Sequence, residues 1–75
     1  MDIVDVTVHV DETLSPEKMQ ELEDAVRQEA CVVTACCSKI DPHLLSVTYD
    51  PDCTNSAAVL HKVQSQGVHA ELLGL

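Results

Sequence analysis

The chain has 75 residues, 45% of them hydrophobic, and carries a net charge of -9 from 13 acidic and 4 basic side chains. That length makes one small domain, residues 1–75, and no repeat, low-complexity segment or linker divides it. The negative surface repels phosphate backbones and excludes nucleic acid as a partner class, and no run nears the ~20 apolar residues of a membrane span, so no membrane insertion is expected.

Residues 3–10, IVDVTVHV, alternate with period two. Val4, Val6, Val8 and Val10 fall on one face, and Ile3, Asp5, Thr7 and His9 on the other, which predicts a half-buried strand. A helix follows over SPEKMQELEDAVRQEA, residues 15–30. Ser15 is its expected N-cap, with Pro16 at the first helical position and Glu17 near the positive end. Met19, Leu22, Ala25 and Val26 form its apolar stripe.

CVVTACCSK, residues 31–39, is rich in β-branched residues and predicts a second strand; IDPH is a turn, and LLSVTYD, residues 44–50, a third strand. SAAVLHKVQSQG, residues 56–67, predicts a second helix with Val59, Leu60 and Val63 inward and Gly67 as its stop. VHAELL, residues 68–73, closes the chain as a fourth strand with Val68, Ala70 and Leu72 inward. Tyr49 is the only aromatic residue, so the core is aliphatic.

The order β-α-β-β-α-β predicts an α+β, ferredoxin-like fold. Right-handed crossovers place two helices on one face of a four-stranded antiparallel sheet of order 4-1-3-2. The valine face of the first strand then lies under the helices, and the His9 face is left to solvent or a partner.

On these segments the chain resembles the heavy-metal-associated domain, the fold of small copper chaperones and of the N-terminal modules of metal-pumping ATPases. The residues that carry the resemblance are VTYDP at the end of the third strand, the helix AAVLHKVQSQG, the strand VHAELL and LEDAV at Leu22–Val26. It implies a non-enzymatic binding module for soft or transition metals, with copper or zinc as the expected ion. That family binds metal through C-x-x-C between the first strand and first helix. Aligned from LEDAV, those two positions fall on Ser15 and Lys18. A hydroxyl is a poor soft-metal ligand, and an ammonium is none near neutral pH. Any metal is therefore expected at displaced Cys and His ligands.

Three candidates stand out. His9 and His69 lie on neighbouring antiparallel strands and point away from the helices. Placed opposite each other, their Cβ atoms would come within roughly 6 Å, a spacing that suits Zn²⁺, Cu²⁺ or Ni²⁺. Asp11 and His43 fall at the same end. The plainer reading is two polar residues on a solvated sheet face. Cys36 is expected on that same face but two strands away, roughly 10 Å across the sheet, which suits a separate soft-metal site or a contact with a partner. Cys37 is expected inward, as a small buried hydrophobe.

Cys31 and Cys53 fall in two loops at the opposite end, where they could come close; they are expected as ordinary loop and packing residues rather than as a bridge or ligand pair. The start Met-Asp-Ile lacks the basic region of a secretory signal, so a cytoplasmic location with four reduced cysteines is expected. The acidic run Glu21, Glu23, Asp24 and Glu29 on the first helix is either a solvated face or a docking surface for a basic protein partner. The chain is expected as a monomer or weak homodimer. No nucleophile–base pair or phosphate loop suggests an enzyme. A metal-independent interaction or regulatory module on the same fold is the alternative function.

Overall fold

In the computed structural model, which describes residues 2–73, the alternating valines form β1 (Val4–Val10). Val6, Val8 and Val10 are buried, while Thr7 and His9 face the other way. Val4 was expected inward with them but is exposed. Among the described residues, β4 (Ala70–Leu73) pairs with β1 only from Thr7 onward, so none of them flanks Val4 on that side.

Helix α1 (Pro16–Arg27) starts where the sequence expected. The Ser15 side chain accepts the Lys18 backbone N–H at 3.2 Å, and Pro16 occupies a position that needs no donor. Leu22 and Val26 are its buried residues; Met19 and Ala25 are only half-buried. The helix stops at Arg27, three residues short of the expected run. Glu29 N–H then bonds to Val26 O and Val32 N–H to Glu29 O, and Cys31 takes a left-handed φ of 71° as the chain reverses.

Strand β2 (Val32–Cys37) is an edge strand. A register shift between Val32 and Thr34 leaves Val33 outside the ladder and exposed. That irregularity is why Val32 and Ala35, an odd number of residues apart, both pack toward the core. The edge is partly covered, because the Cys37 backbone N–H donates to Glu23 Oε2 of α1 at 2.7 Å.

Strand β3 (Leu44–Tyr49) buries Leu45, Val47 and Tyr49. Helix α2 (Ser56–Gln64) is capped by Asn55, whose Oδ1 accepts the Ala58 N–H at 2.8 Å, and it buries Val59 and Val63. Leu60, expected inward, is half-buried. Gly67 follows the helix with φ +86°, the left-handed conformation that a glycine adopts at least cost. Strand β4 begins two residues later than expected, yet Val68 is still buried ahead of it.

The four strands form one antiparallel sheet, β2-β3-β1-β4, the expected 4-1-3-2 order read from its other edge. Side chains of α1 and α2 join the valine face in one core of Val6, Val8, Val10, Leu22, Val26, Ala35, Leu45, Val47, Tyr49, Val59, Val63 and Val68. This is the α+β ferredoxin-like arrangement. Among the described residues no helix is long and apolar enough to cross a membrane.

Two groups of loops define the ends of the domain. One end holds the C-terminus of β1, the β2–β3 turn and the α2–β4 turn. The other holds the α1–β2 and β3–α2 loops. There Cys31 and Cys53, 22 residues apart in sequence, are joined by a disulfide with Cα atoms 5.8 Å apart. The sequence places both loops at this end, where the two cysteines could meet, but a reducing compartment favoured ordinary packing residues over a bridge. The shared end is as expected, and the disulfide overturns the preference against a bridge.

Candidate metal centre

The last inward valine of β1, Val10, is followed by a loop that carries Asp11 and Glu12. His9 faces outward by strand alternation, as does Glu71 directly opposite it in the β1–β4 ladder. Asp11, two residues beyond, returns to the same face. His9 Nδ1 lies 3.1 Å from Asp11 Oδ1 and 4.0 Å from Glu71 Oε1. A carboxylate only accepts, so in the metal-free neutral ring Nδ1 carries the hydrogen, which an ion held between these residues would replace. His9, Asp11 and Glu71 each offer a ligand atom within 4.8 Å of the others. His9 is one-third exposed, so the group is open to solvent.

His43 supports this group from the β2–β3 turn. Its ring stacks on that of His9, with centroids 5.8 Å apart and planes 20° from parallel. His43 Nδ1 lies 2.8 Å from the Val10 carbonyl oxygen. Because a carbonyl accepts only, that nitrogen is the protonated one, and Nε2 keeps a lone pair. The turn is held in place by the Val10 N–H, which donates to the His43 carbonyl at 2.7 Å, and by the His43 N–H, which donates to Asp41 Oδ1 at 2.9 Å.

His69 is placed differently from its expected role. The register sets His9 opposite Glu71, and His69 falls beyond the last ladder rung, beside Asp11, whose N–H donates to the His69 carbonyl at 2.9 Å. Its side chain is 86% exposed and turned to Glu12, with Nδ1 3.0 Å from Glu12 Oε2. Glu12 also accepts the His69 backbone N–H at 2.8 and 3.0 Å. That backbone bond first, and the ring second, hold the Glu12 carboxyl below the ordinary carboxylate range. Glu12 therefore ties the β1–α1 loop to the α2–β4 turn, and His69 is not part of the three-residue group.

Cys36 is exposed on the open face, as expected. It shares a rung with Ser46, which pairs in turn with Thr7, so two strand spacings and two rungs along the ladder separate it from His9. Arg27 reaches its sulfur at 3.9 Å. Cys37 is half-buried on the inner face, where burial first and the Glu23 carboxylate second push its thiol up.

The positions aligned with C-x-x-C do not fit a soft ion. Ser15 Oγ is engaged as a helix cap by the Lys18 N–H, and Lys18 Nζ lies 3.8 Å from Glu21 Oε2. A hydroxyl and an ammonium offer no soft donor there. The sequence pointed to His9 correctly as an outward residue, but Glu71 was missed as its neighbour. The available signal was the β1–β4 register, which depends on where β4 starts.

No family model matches the chain, and no curated protein does either. Solved structures do match. A copper binding domain from HMA7, a P-type ATPase, superposes with a TM-score of 0.85 at 18% identity over 93% of each chain. The yeast copper transporter domain Ccc2A, solved in apo and Cu(I)-loaded states, gives 0.80 at 17% identity over 93% of this chain and 94% of its own. Oxidized MerP from Ralstonia metallidurans CH34 gives 0.86 at 14% identity over 97% of this chain and 100% of its own. Each match spans nearly the whole of both chains, so the resemblance drawn from VTYDP, LEDAV and the second helix is matched by the architecture. The chain has the ferredoxin-like fold of these domains, and its own Ser15 and Lys18 offer no soft donor.

Proposed function

We propose that the protein is a small non-enzymatic metal-binding module of the heavy-metal-associated type, in which the site has moved from the β1–α1 loop to the end of β1. The observation that supports it is the meeting of His9, Asp11 and Glu71 donor atoms within 4.8 Å. One imidazole and two carboxylates suit a borderline divalent ion of the Zn²⁺ or Cu²⁺ class rather than Cu⁺. His43 lies beside the group with its tautomer set by Val10. His69 joins the site only by leaving Glu12. In this reading the module works in the cytoplasm, where small thiols hold Cys31 and Cys53 reduced, and its acidic surface receives a basic protein partner.

A metal-independent interaction module is the second reading. It is favoured by the Ser15 cap, which fills the family's ligand position with a purely structural contact.

Zn²⁺ titration against a chromophoric chelator separates the two. The metal reading expects a Kd tighter than about 10 μM, roughly 7 kcal/mol, and at least a tenfold loss in His9→Ala and in Glu71→Gln. Binding weaker than that in the wild type leaves the interaction-module reading.

A further inference from the structure

The end of the domain away from His9 holds a second pair of metal-competent side chains. Cys31 leaves the α1–β2 loop and Cys53 the β3–α2 loop, and their Cα atoms stand 5.8 Å apart. Asp50 fixes this spacing through the main chain. Its N–H donates to the Cys31 carbonyl at 3.0 Å, and its own carbonyl accepts the N–H groups of Cys53 at 3.1 Å and Thr54 at 3.0 Å. The Asp50 side chain also accepts the Asp52 N–H at 3.0 Å. The neighbouring ladder rung, Val32 with Tyr49, holds both loop bases on the sheet. The two cysteines are therefore held together by backbone bonds that do not need the sulfur–sulfur bond. Cys53 is exposed and Cys31 half-buried, so both a small thiol and a metal carrier have access.

We propose that the reduced Cys31–Cys53 pair is a two-thiolate site for a soft, linearly coordinated ion of the Cu⁺ class, opened and closed by thiol–disulfide exchange. In the exchange, two molecules of a small thiol give two electrons and two protons to the disulfide. The protein sulfur–sulfur bond breaks, and one small-molecule disulfide forms. On binding, both thiols release a proton to solvent and two sulfur–metal bonds form; no electron moves. Two bonds of about 2.3 Å span about 4.5 Å between sulfurs, which χ1 rotation provides while the Cα atoms stay in place. Thiolate donors select a soft ion over the harder one suited to His9, Asp11 and Glu71. The two ends of the domain thus bind different classes of ion, and this site does not depend on the function proposed for the His9 end.

The test is an anaerobic Cu⁺ titration against a chromophoric Cu⁺ chelator. It uses the wild type reduced by a small thiol that is then removed, and the same protein left oxidised. The reduced protein is expected to take up one Cu⁺ per chain. Cys31→Ser and Cys53→Ser are expected to lose about 100-fold or more in affinity. Cys36→Ser with Cys37→Ser, which keeps only the proposed pair, is expected to bind like the wild type. The oxidised wild type carries no substitution and serves as the folded control; it is expected to bind like Cys31→Ser. Equal Cu⁺ affinity in the reduced and oxidised forms, or loss of binding in the Cys36→Ser/Cys37→Ser protein with retention in Cys31→Ser, would overturn the proposal.

Discussion

The Ser15 hydroxyl accepts the backbone N–H of Lys18 at 3.2 Å, so the two residues aligned with the C-x-x-C cysteines cap a helix together. Removing the cap by Ser15→Ala should cost roughly 1 kcal/mol, seen as a lower midpoint in urea with an unchanged slope. Zn²⁺ affinity should stay the same. A loss of metal affinity in Ser15→Ala at unchanged stability would place Ser15 in a site.

The complementary change restores what the loop lacks. Ser15→Cys with Lys18→Cys puts two soft donors at the matching positions of a scaffold that superposes on copper-binding domains. In reduced protein that also carries Cys31→Ser and Cys53→Ser, both changes should add Cu⁺ binding that the Cys31→Ser/Cys53→Ser protein lacks, read by competition with a Cu⁺ chelator. No gain would show that LEDAV is aligned wrongly to the family.

Val47 is fully buried at the centre of β3, opposite Val6 and Ala35. Val47→Ala removes two methyl groups and leaves a cavity, so it should cost about 1–3 kcal/mol in chemical unfolding. Thr48→Ala, on the other face, removes only the hydroxyl contact with Thr34 and should cost less. The opposite ranking would mean that the strand is inverted.

At Gly67 a Cβ would meet nothing within 4 Å, so substitution there tests backbone conformation alone. Its φ of +86° costs an L-residue about 1–2 kcal/mol. Gly67→Ala should lose that much stability, whereas Gly67→Asn should lose less, since Asn tolerates the left-handed region better. Equal losses for both would argue against a conformational origin.

Cys37 is half-buried beside Glu23 and its thiol is pushed up, while Cys36 is exposed. A raised thiol holds less thiolate at a given pH, and burial limits access. Alkylation of the native protein near pH 8 should therefore label Cys36 before Cys37, with the order read by mass spectrometry. Prior labelling of Cys37 would contradict its inward placement.

Much of this molecule is legible in its sequence because burial follows period. The valines of β1 specify a face, Leu22 and Val26 a helical stripe, and the six-element order a topology that the crossover rule completes. Ser15 announces its cap, and Gly67 its stop. What escaped depends on register and on loop approach. Val4 carries the pattern of a core residue, but among the described residues β4 pairs with β1 only from Thr7 onward. His69 and His9 share a face, but a ladder that pairs His9 with Glu71 gives His69 to Glu12. The topology brings the loops of Cys31 and Cys53 to one end, but nothing local to either residue shows that they are bonded.

The claim that a metal site has moved to the end of β1 is tested most directly by following the imidazole nitrogens of the four histidines by NMR during a Zn²⁺ titration of the oxidised protein. The account predicts that His9 ring signals shift and saturate near one equivalent of Zn²⁺. It predicts that His61, exposed on α2 away from the group, stays unchanged. Unchanged His9 signals through several equivalents of Zn²⁺, or equal gradual shifts at all four histidines, would contradict it.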